Sequence, residues 1–345
     1  MLEESTFSES GIIDSVAKNY NIKIDKIEKI NAGTANLYKL INKENKYVLK
    51  EFQSKYTETS VIREIETINH LKKKLSVPVP EILQCNNMHY CFKNKGKTVV
   101  LQNFIDGFTC NKNEGNYEQL MESAQYLGKI VKGLEDFKTN GKVNIQDWYS
   151  NKELKRAEEK YNFILENVKN NKIENKIKED IIYKKDILKH LQEIIDFSEI
   201  DKVTHKVSHG DYNCLQFIYD ENKKIKAILD FIKVKKLPLV WEIARSYSYI
   251  DKEASNGKIN IKNIVDYTRE VSKIVELNTY DLKYLPYVYL IQLVRSTFGY
   301  EQYYQNVKNK EELLNFAFYR TNICRDLYKK SKEISEQLLE LKWRK

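Results

Sequence analysis

Residues His209–Asp230 read HGDYNCLQFIYDENKKIKAILD. The stretch opens on a polar knot, His209-Gly210-Asp211, and continues as two short apolar runs, Leu215–Tyr219 and Ile225–Leu229. Between them lies the charged, turn-forming Asp220-Glu221-Asn222-Lys223-Lys224. Apolar runs bounded in this way predict a loop, a strand, a turn and a second strand with Asp230 at its far end. Such a hairpin brings two carboxylates, Asp211 and Asp230, to the same end of a small sheet. Two acids at one mouth suit a base and a metal ligand. Mg²⁺ takes hard oxygen ligands and usually keeps only one or two carboxylates beside phosphate and water, so the layout suits phosphoryl transfer. A surface hairpin with acids in its turns fits the same pattern.

At 345 residues the chain is long enough for two or three compact units with a substantial core. It contains no apolar run of about 18 residues or more. The N-terminus, MLEESTFSES, is acidic and polar where a signal peptide is basic and then apolar, so a cytoplasmic location without a membrane partner is expected. Five cysteines, at 85, 91, 110, 214 and 324, are scattered without CxxC spacing, which fits thiols in a reducing compartment. The net charge of +9 raises the question of nucleic acid. Lys, however, is spread along the whole chain among Glu and Asp and rises together with Asn, Ile and Tyr, as AT-rich coding produces. Clusters such as Lys72-Lys73-Lys74 read as solvated faces, and no nucleic-acid partner is expected.

Taken in order, apolar positions at helical spacing predict a short helix over Gly11–Tyr20. Strands follow at Lys23–Ile30, Leu37–Ile41 and Lys46–Phe52, joined by Asn31-Ala32-Gly33-Thr34-Ala35-Asn36 and by Asn42-Lys43-Glu44-Asn45. The first corner is built of small residues. Gly33 has no Cβ, so backbone N–H groups there can approach a phosphate, although an ordinary hairpin turn has the same composition. Lys50 stands near the end of the third strand. The next segment, Thr57–Leu75, is an amphipathic helix with Ile62, Ile65, Ile68 and Leu71 on one stripe, closed by Val77-Pro78-Val79-Pro80. A strand Lys50 and a helix Glu64 can form an ion pair that holds the amine against phosphate oxygens.

Beyond the prolines, Glu81–Gln84, His89–Phe92 and Lys97–Phe104 read as strands, and Ile105-Asp106-Gly107 breaks the pattern. A boundary there gives an N-terminal lobe over 1–106 and a C-terminal lobe over 107–345. The second is mostly helical: 117–137, 152–170, 173–197, 241–249, 260–277, 279–300 and 310–341. The helices over 152–170 and 173–197 carry apolar residues three or four apart, which suits packing on their own chain or against a coiled-coil partner. Lys235-Lys236-Leu237-Pro238 reads as a loop.

These residues carry a family likeness. Val207-Ser208-His209-Gly210-Asp211 resembles the catalytic-loop entry of the aminoglycoside phosphotransferase-like small-molecule kinases. That group shares the two-lobed protein-kinase-like α+β fold and includes choline and homoserine kinases and spore-coat kinase-like proteins. Tyr47-Val48-Leu49-Lys50, Arg63-Glu64, Phe104-Ile105-Asp106-Gly107 and Ile228-Leu229-Asp230-Phe231 follow in the family's order. The resemblance implies an N-terminal antiparallel sheet with one main helix and a larger helical lobe. It implies Asp211 as catalytic base or orienter of the acceptor hydroxyl, and Asp230 as principal Mg²⁺ ligand. Lys50, tethered by Glu64, would hold the α- and β-phosphates of ATP or GTP. Gly33, Thr34 and Asn36 would cover the phosphates, the backbone from Asn103 to Ile105 would meet the base, and His209 would support the loop from behind. Trp241-Glu242-Ile243-Ala244-Arg245 resembles the helix after the metal loop, with Glu242 bracing the catalytic loop.

Two positions depart from the family pattern. Gln216 stands where the family has Asn as second metal ligand, offering the same amide oxygen on a longer stem. Ile232 stands where many members carry a second acid. The implied function is transfer of a γ-phosphoryl group from ATP or GTP to an alcohol of a small molecule. Tyr247, Tyr249, Tyr300, Tyr303 and Tyr304 are available as pocket liners or as packing. The departures motivate an alternative, a catalytically weak kinase-like scaffold of the spore-coat type.

Overall fold

The computed structural model describes residues 2–31, 33, 35–74, 77–139 and 141–340. The chain begins with α1 (Glu9–Tyr20), β1 (Lys26–Ile30), β2 (Asn36–Ile41), β3 (Lys46–Glu51), α2 (Glu58–Lys74), β4 (Phe92–Asn94) and β5 (Lys97–Asn103). Helices α3 (Tyr117–Gly133), α4 (Gln146–Tyr149), α5 (Asn151–Asn167), α6 (Lys172–Ile194) and α7 (Phe197–Ile200) lead to β6 (His205–Ser208). Then come β7 (Phe217–Tyr219), β8 (Ile225–Ile228) and β9 (Lys235–Pro238). The chain continues through α8 (Leu239–Ile250), α9 (Ile261–Ser272), α10 (Thr279–Arg295), α11 (Tyr300–Tyr304) and α12 (Lys310–Glu340). Two compact units result, one of Met1–Thr109 with Gln216–Val234, the other of Cys110–Leu215 with Lys235–Lys345. This division differs from a single cut after residue 106, because the β7–β8 hairpin clusters with the N-terminal segment.

The first unit is built on an antiparallel sheet in the order β1-β2-β3-β5-β4. Its turns follow from their residues. Asn42 Oδ1 accepts hydrogen bonds from the N–H groups of Glu44 and Asn45, closing the β2–β3 corner. Lys95 and Gly96, both at positive φ (44° and 87°), make the two-residue β4–β5 turn that suits strand twist. The period of two along β3 sends Leu49 and Glu51 to one face and Lys50 to the other. Leu49 pairs with Tyr38 and Leu101, and these join Leu40, Val99 and the α1 residues Ile12, Val16 and Tyr20 in one apolar cluster. Burying a side chain such as Leu49 contributes roughly 2 kcal/mol.

On α2 the buried stripe is Val61, Glu64, Ile65, Ile68 and Leu71. The expected Ile62 is 40% exposed; it lies one position off the stripe, whose i, i+3, i+4 spacing starts at Val61. The β7–β8 hairpin has Phe217 opposite Ile228. Asp220 Oδ1 turns it by accepting from the N–H groups of Asn222 and Lys224. It is tied to the rest of its unit by Phe108, which exchanges backbone hydrogen bonds with Tyr219, and by the Ile228 N–H donating to the Pro78 carbonyl. A Cβ at Gly107 would fall 2.4 Å from the Tyr219 carbonyl oxygen, so glycine is needed for this approach. Two of the predicted strands are corrected. Ile82 alone of Glu81–Gln84 makes a bridge, to Gln102, and the strand expected over His89–Phe92 occupies Phe92–Asn94.

In the second unit α3 packs on α9, α8 on α10, and α10 on α12, while α5 and α6 pack against each other. Ile177, Ile181, Leu188 and Leu191 of α6 are accordingly buried within the chain itself. Lys235–Pro238, read from sequence as a loop, is strand β9, antiparallel to β6. Its charge concealed it: in so short a strand only Leu237 and Pro238 are buried. Asp281 anchors the start of β6 by accepting from the Thr204 N–H (2.7 Å) and Oγ1 (2.6 Å) while capping α10. Among the described residues, no helix is long and apolar enough to cross a membrane.

Candidate active site

Within the first unit, Lys50 projects from the sheet face opposite Leu49 and meets two carboxylates. Its Nζ lies 3.0 Å from Glu64 Oε1 and 2.9 Å from Asp230 Oδ1, and 4.5 Å from the centre of the Phe52 ring. Helix α2 supplies Glu64 and packs against the 231–233 turn that begins just after Asp230. Burial alone would pull the Lys50 pKa down; Asp230 and Glu64 outweigh it and the net shift is upward. Burial raises the Glu64 pKa, with Lys50 opposing.

Asp230 has a left-handed backbone (φ 63°, ψ 61°) and does not cap the turn that follows it with its side chain. Such a backbone is uncommon outside glycine, though aspartate tolerates it better than most, and it aims the carboxylate away from the strand's own alternation. The Leu229 N–H donates to the Gln216 carbonyl at 2.9 Å, which puts Gln216 across the hairpin from the residue before Asp230. Gln216 itself ends a 3₁₀ turn, Cys214–Gln216, so the strand starts two residues later than the apolar run suggests. No group of three or more His, Cys, Asp or Glu side chains able to hold a metal occurs among the described residues. One carboxylate and one amide oxygen are nevertheless donors of the hard type Mg²⁺ takes, with phosphate and water completing its shell.

The other expected nucleotide contacts are placed unevenly. Gly33 has φ +72°, and an added Cβ would find only Leu37 Cδ1 at 4.0 Å, so the glycine serves the turn's conformation and keeps the corner open. Thr34 lies outside the described residues. The Asn36 side chain is buried on the Tyr38 and Leu40 face, where it donates to Glu51 Oε2 (2.8 Å) and the Glu3 carbonyl (3.1 Å). That commits it to the sheet rather than to a phosphate. Asn103 closes β5, its Oδ1 accepting from the Glu81 N–H at 2.6 Å, and Ile105 follows two residues later, half-buried.

In the second unit, β6 delivers the His209-Gly210-Asp211 loop. His209 is fully buried, and the Asp211 N–H donates to its Nδ1 at 3.3 Å. Glu242 is also fully buried. Its two carboxylate oxygens accept from Ser208 Oγ and from the Tyr212 N–H (3.1 Å), so one side chain of α8 brackets Asp211 on both sides. One turn further along α8, Arg245 pairs through Nη2 with Asp211 Oδ1. Asn213 donates to the Asp211 carbonyl at 2.7 Å, accepts from the Leu215 N–H at 3.0 Å, and holds the loop's exit. Arg245 and Asn213 were not singled out from the sequence. The i, i+3 spacing of Glu242 and Arg245 is the signal that finds the first of them, since a helix that aims one at the loop aims the other too.

The model of the phosphotransferase enzyme family matches residues 26–257, more than half of the chain. The chain belongs to that family. Solved structures agree on the fold. An aminoglycoside phosphotransferase from Alicyclobacillus acidocaldarius is similar with a TM-score of 0.67 at 12% identity, covering 96% of this chain and 98% of its own. A spectinomycin phosphotransferase in complex with ADP and spectinomycin gives 0.66 at 14% identity, with 96% and 100% covered. A Plasmodium vivax ethanolamine kinase gives 0.58 at 14%, with 96% and 94% covered. No curated protein matches in sequence. The architecture is therefore the α+β, protein-kinase-like one: an antiparallel five-stranded sheet in the N-terminal part and a helical C-terminal part.

Of the tyrosines named as liners, Tyr247 and Tyr300 are fully buried, with their hydroxyls bonded to Asn260 and to Asp180 and Thr321. Tyr303 and Tyr304 pack edge to face on each other. The Tyr249 ring meets a site residue, lying 4.7 Å from the Arg245 guanidinium carbon.

Proposed function

We propose that this phosphotransferase moves the γ-phosphoryl group of ATP or GTP to a hydroxyl of a small molecule, in the cytoplasm, with residues 1–106 as the nucleotide lobe. The observation that carries this reading is Lys50 held between Glu64 and Asp230, one cation facing two carboxylates. Lys50 supplies the charge that accepts phosphate oxygens, and Glu64 fixes its position. Asp230 and Gln216 would hold Mg²⁺, which when bound neutralises charge on the phosphates. Asp211, fixed by Arg245 and by a loop that Glu242 braces, orients the acceptor hydroxyl for in-line attack, a task of positioning more than of proton abstraction in a loose transition state. The solved relatives contain ADP in one case, AMP-PNP with Ca²⁺ in another, an amicoumacin kinase, and GDP in a third, an aminoglycoside 2'-phosphotransferase.

The test is a titration with ATP and with GTP, with and without Mg²⁺, read by thermal shift. A ligand at about 100 times its Kd adds about 2.7 kcal/mol of stability. Mg²⁺-dependent stabilisation is expected, its size identifying ATP or GTP as the donor, and Asp211→Asn is expected to keep it while losing about 100-fold or more in kcat. A second reading, the catalytically weak scaffold, draws on Gln216 and Ile232; absence of any nucleotide-dependent shift favours it.

A further inference from the structure

Beside Arg245 in the second unit, aromatic rings from α8, from the segment after α10 and from α12 gather. Phe316 and Tyr319 stack with centroids 6.4 Å apart at 19°, and Tyr249 and Phe298 each meet Phe316 edge-on at 6.0 and 6.3 Å. Lys112 reaches into this group. Its Nζ lies 3.4 Å from the Tyr319 ring centre and 4.8 Å from that of Phe316. Arg320 also stands over Phe316, 5.7 Å from its centre. The cluster opens to solvent, because Phe298 is 44% exposed and Lys112, Phe316 and Tyr319 are only half-buried.

The charges here are unbalanced. Arg245 has Asp211, yet its Nη1 is buried without a hydrogen-bond partner. Arg320 is buried, donates through Nη1 to the neutral Ser296 Oγ at 2.8 Å, and leaves Nε without a partner. Neither Lys112 nor Arg320 has a carboxylate partner among the described residues. Burial lowers the Lys112 pKa to about 8, with the Arg320 charge adding to the fall. Desolvated cations and unpaired donors cost free energy that an acceptor oxygen would recover, and an exposed ring face offers stacking area.

We propose that this cluster is the acceptor subsite and that it takes a hydroxy compound with an aromatic body and an anionic group, the ring lying against Phe298 and Phe316 and the anion meeting Lys112 and Arg320. The assignment rests on the phosphotransferase reading, since contact through Arg245 is what places such a compound beside Asp211. A polyamine acceptor would instead bring ammonium groups against uncompensated cations, and is disfavoured for the same reason.

The test uses 3-phenyllactate, 3-phenylpropane-1,2-diol and phenylalaninol, which share a phenyl ring and a hydroxyl and carry negative, zero and positive charge. Each is titrated calorimetrically into the full chain and into Lys112→Met, with Mg·ATP titrated in parallel as a check on folding. Phenyllactate is expected to bind about tenfold more tightly than phenylalaninol, a difference of about 1.4 kcal/mol, and Lys112→Met to remove most of that preference. The exposed Phe298→Ala is expected to weaken all three. Phenylalaninol binding as tightly as phenyllactate, a preference untouched by Lys112→Met, or no binding by any of the three overturns the assignment. If Mg·ATP binds and the preference is absent, the subsite alone fails. If the preference holds and Mg·ATP does not bind, the phosphotransferase reading fails while the anion-binding cluster stands.

Discussion

The guanidinium of Arg245 closes on the carboxylate of Asp211, and both side chains are largely withdrawn from water. A carboxylate so held is restrained in direction, which is what an orienting group requires. Arg245 itself is immobilised by the Tyr249 ring at 4.7 Å and the Trp241 ring at 5.5 Å, so the pair is a rigid unit of α8 and the loop. Replacing Arg245 by Ala removes the ion pair that restrains the Asp211 carboxylate. The expected outcome is a fall in kcat of about 100-fold with Mg·ATP affinity within about threefold of the parent. Arg245→Lys should recover only part of the loss, because an ammonium lacks the planar fork that stacks on the rings. Steady-state kinetics at saturating nucleotide, with the Kd for Mg·ATP measured separately, checks both.

Glu242 acts at one remove. It binds the residue before His209 and the residue after Asp211, so its loss releases the loop at both ends. Glu242→Ala removes the carboxylate that accepts from the buried Tyr212 N–H and Ser208 hydroxyl, at a cost of about 3 kcal/mol. The expected result is a lower denaturation midpoint together with a fall in kcat. Glu242→Gln keeps one acceptor oxygen and should lie between. A variant that lost stability and kept full turnover would deny Glu242 its positioning role.

Lys50 sits between Glu64 and Asp230, and its removal has a signature in pH. Glu64 is already raised by burial, with Lys50 pulling it back, so Lys50→Met raises it further. A carboxyl with a raised folded pKa holds its proton in the native state after the unfolded chain has lost it. Stability therefore falls as pH rises from the ordinary carboxylate value through the folded one. Lys50→Met is thus expected to lose about 3 kcal/mol at neutral pH and to regain much of the deficit as pH drops through the raised Glu64 pKa. Denaturant midpoints of parent and variant across that range measure it, and a deficit independent of pH would deny the coupling. Mg·ATP binding should weaken by about tenfold or more in the same variant.

Much of this was legible because the informative residues are short-range in sequence. The turn residues Asp220–Lys224 mark the hairpin that carries Asp230, and the apolar stripe of α2 carries Glu64 inward with Val61, Ile65 and Ile68. Other features depend on which face or which partner a segment finds. Asn36 sits in a small-residue corner that suggests a phosphate contact, but strand alternation turns it to the side of Tyr38 and Leu40, where Glu51 holds it. Lys235–Pro238 has a loop's composition and becomes a strand because β6 pairs with it. The cation-rich ring cluster joins Lys112 to Phe316 and Tyr319 across some two hundred residues, and no local pattern announces it.

Gln216 decides how the metal donors are read. Its carbonyl accepts from the Leu229 N–H, so the backbone around it is fixed by the hairpin and only the side chain has freedom to reach a cation beside Asp230. A glutamine stem is one methylene longer than an asparagine stem, and a site adapted to the longer stem places the cation farther from the strand. Gln216→Asn retracts the amide oxygen by about 1.5 Å, roughly one bond length, and is expected to weaken Mg²⁺-dependent ATP binding by about fivefold to tenfold, a loss of about 1 to 1.4 kcal/mol, while leaving metal-free nucleotide binding unchanged. Titration of ATP at a series of fixed Mg²⁺ concentrations separates the two. A gain in Mg²⁺-dependent affinity or in ATP hydrolysis would mean that Gln216 disarms the site, and would move the chain toward the scaffold reading.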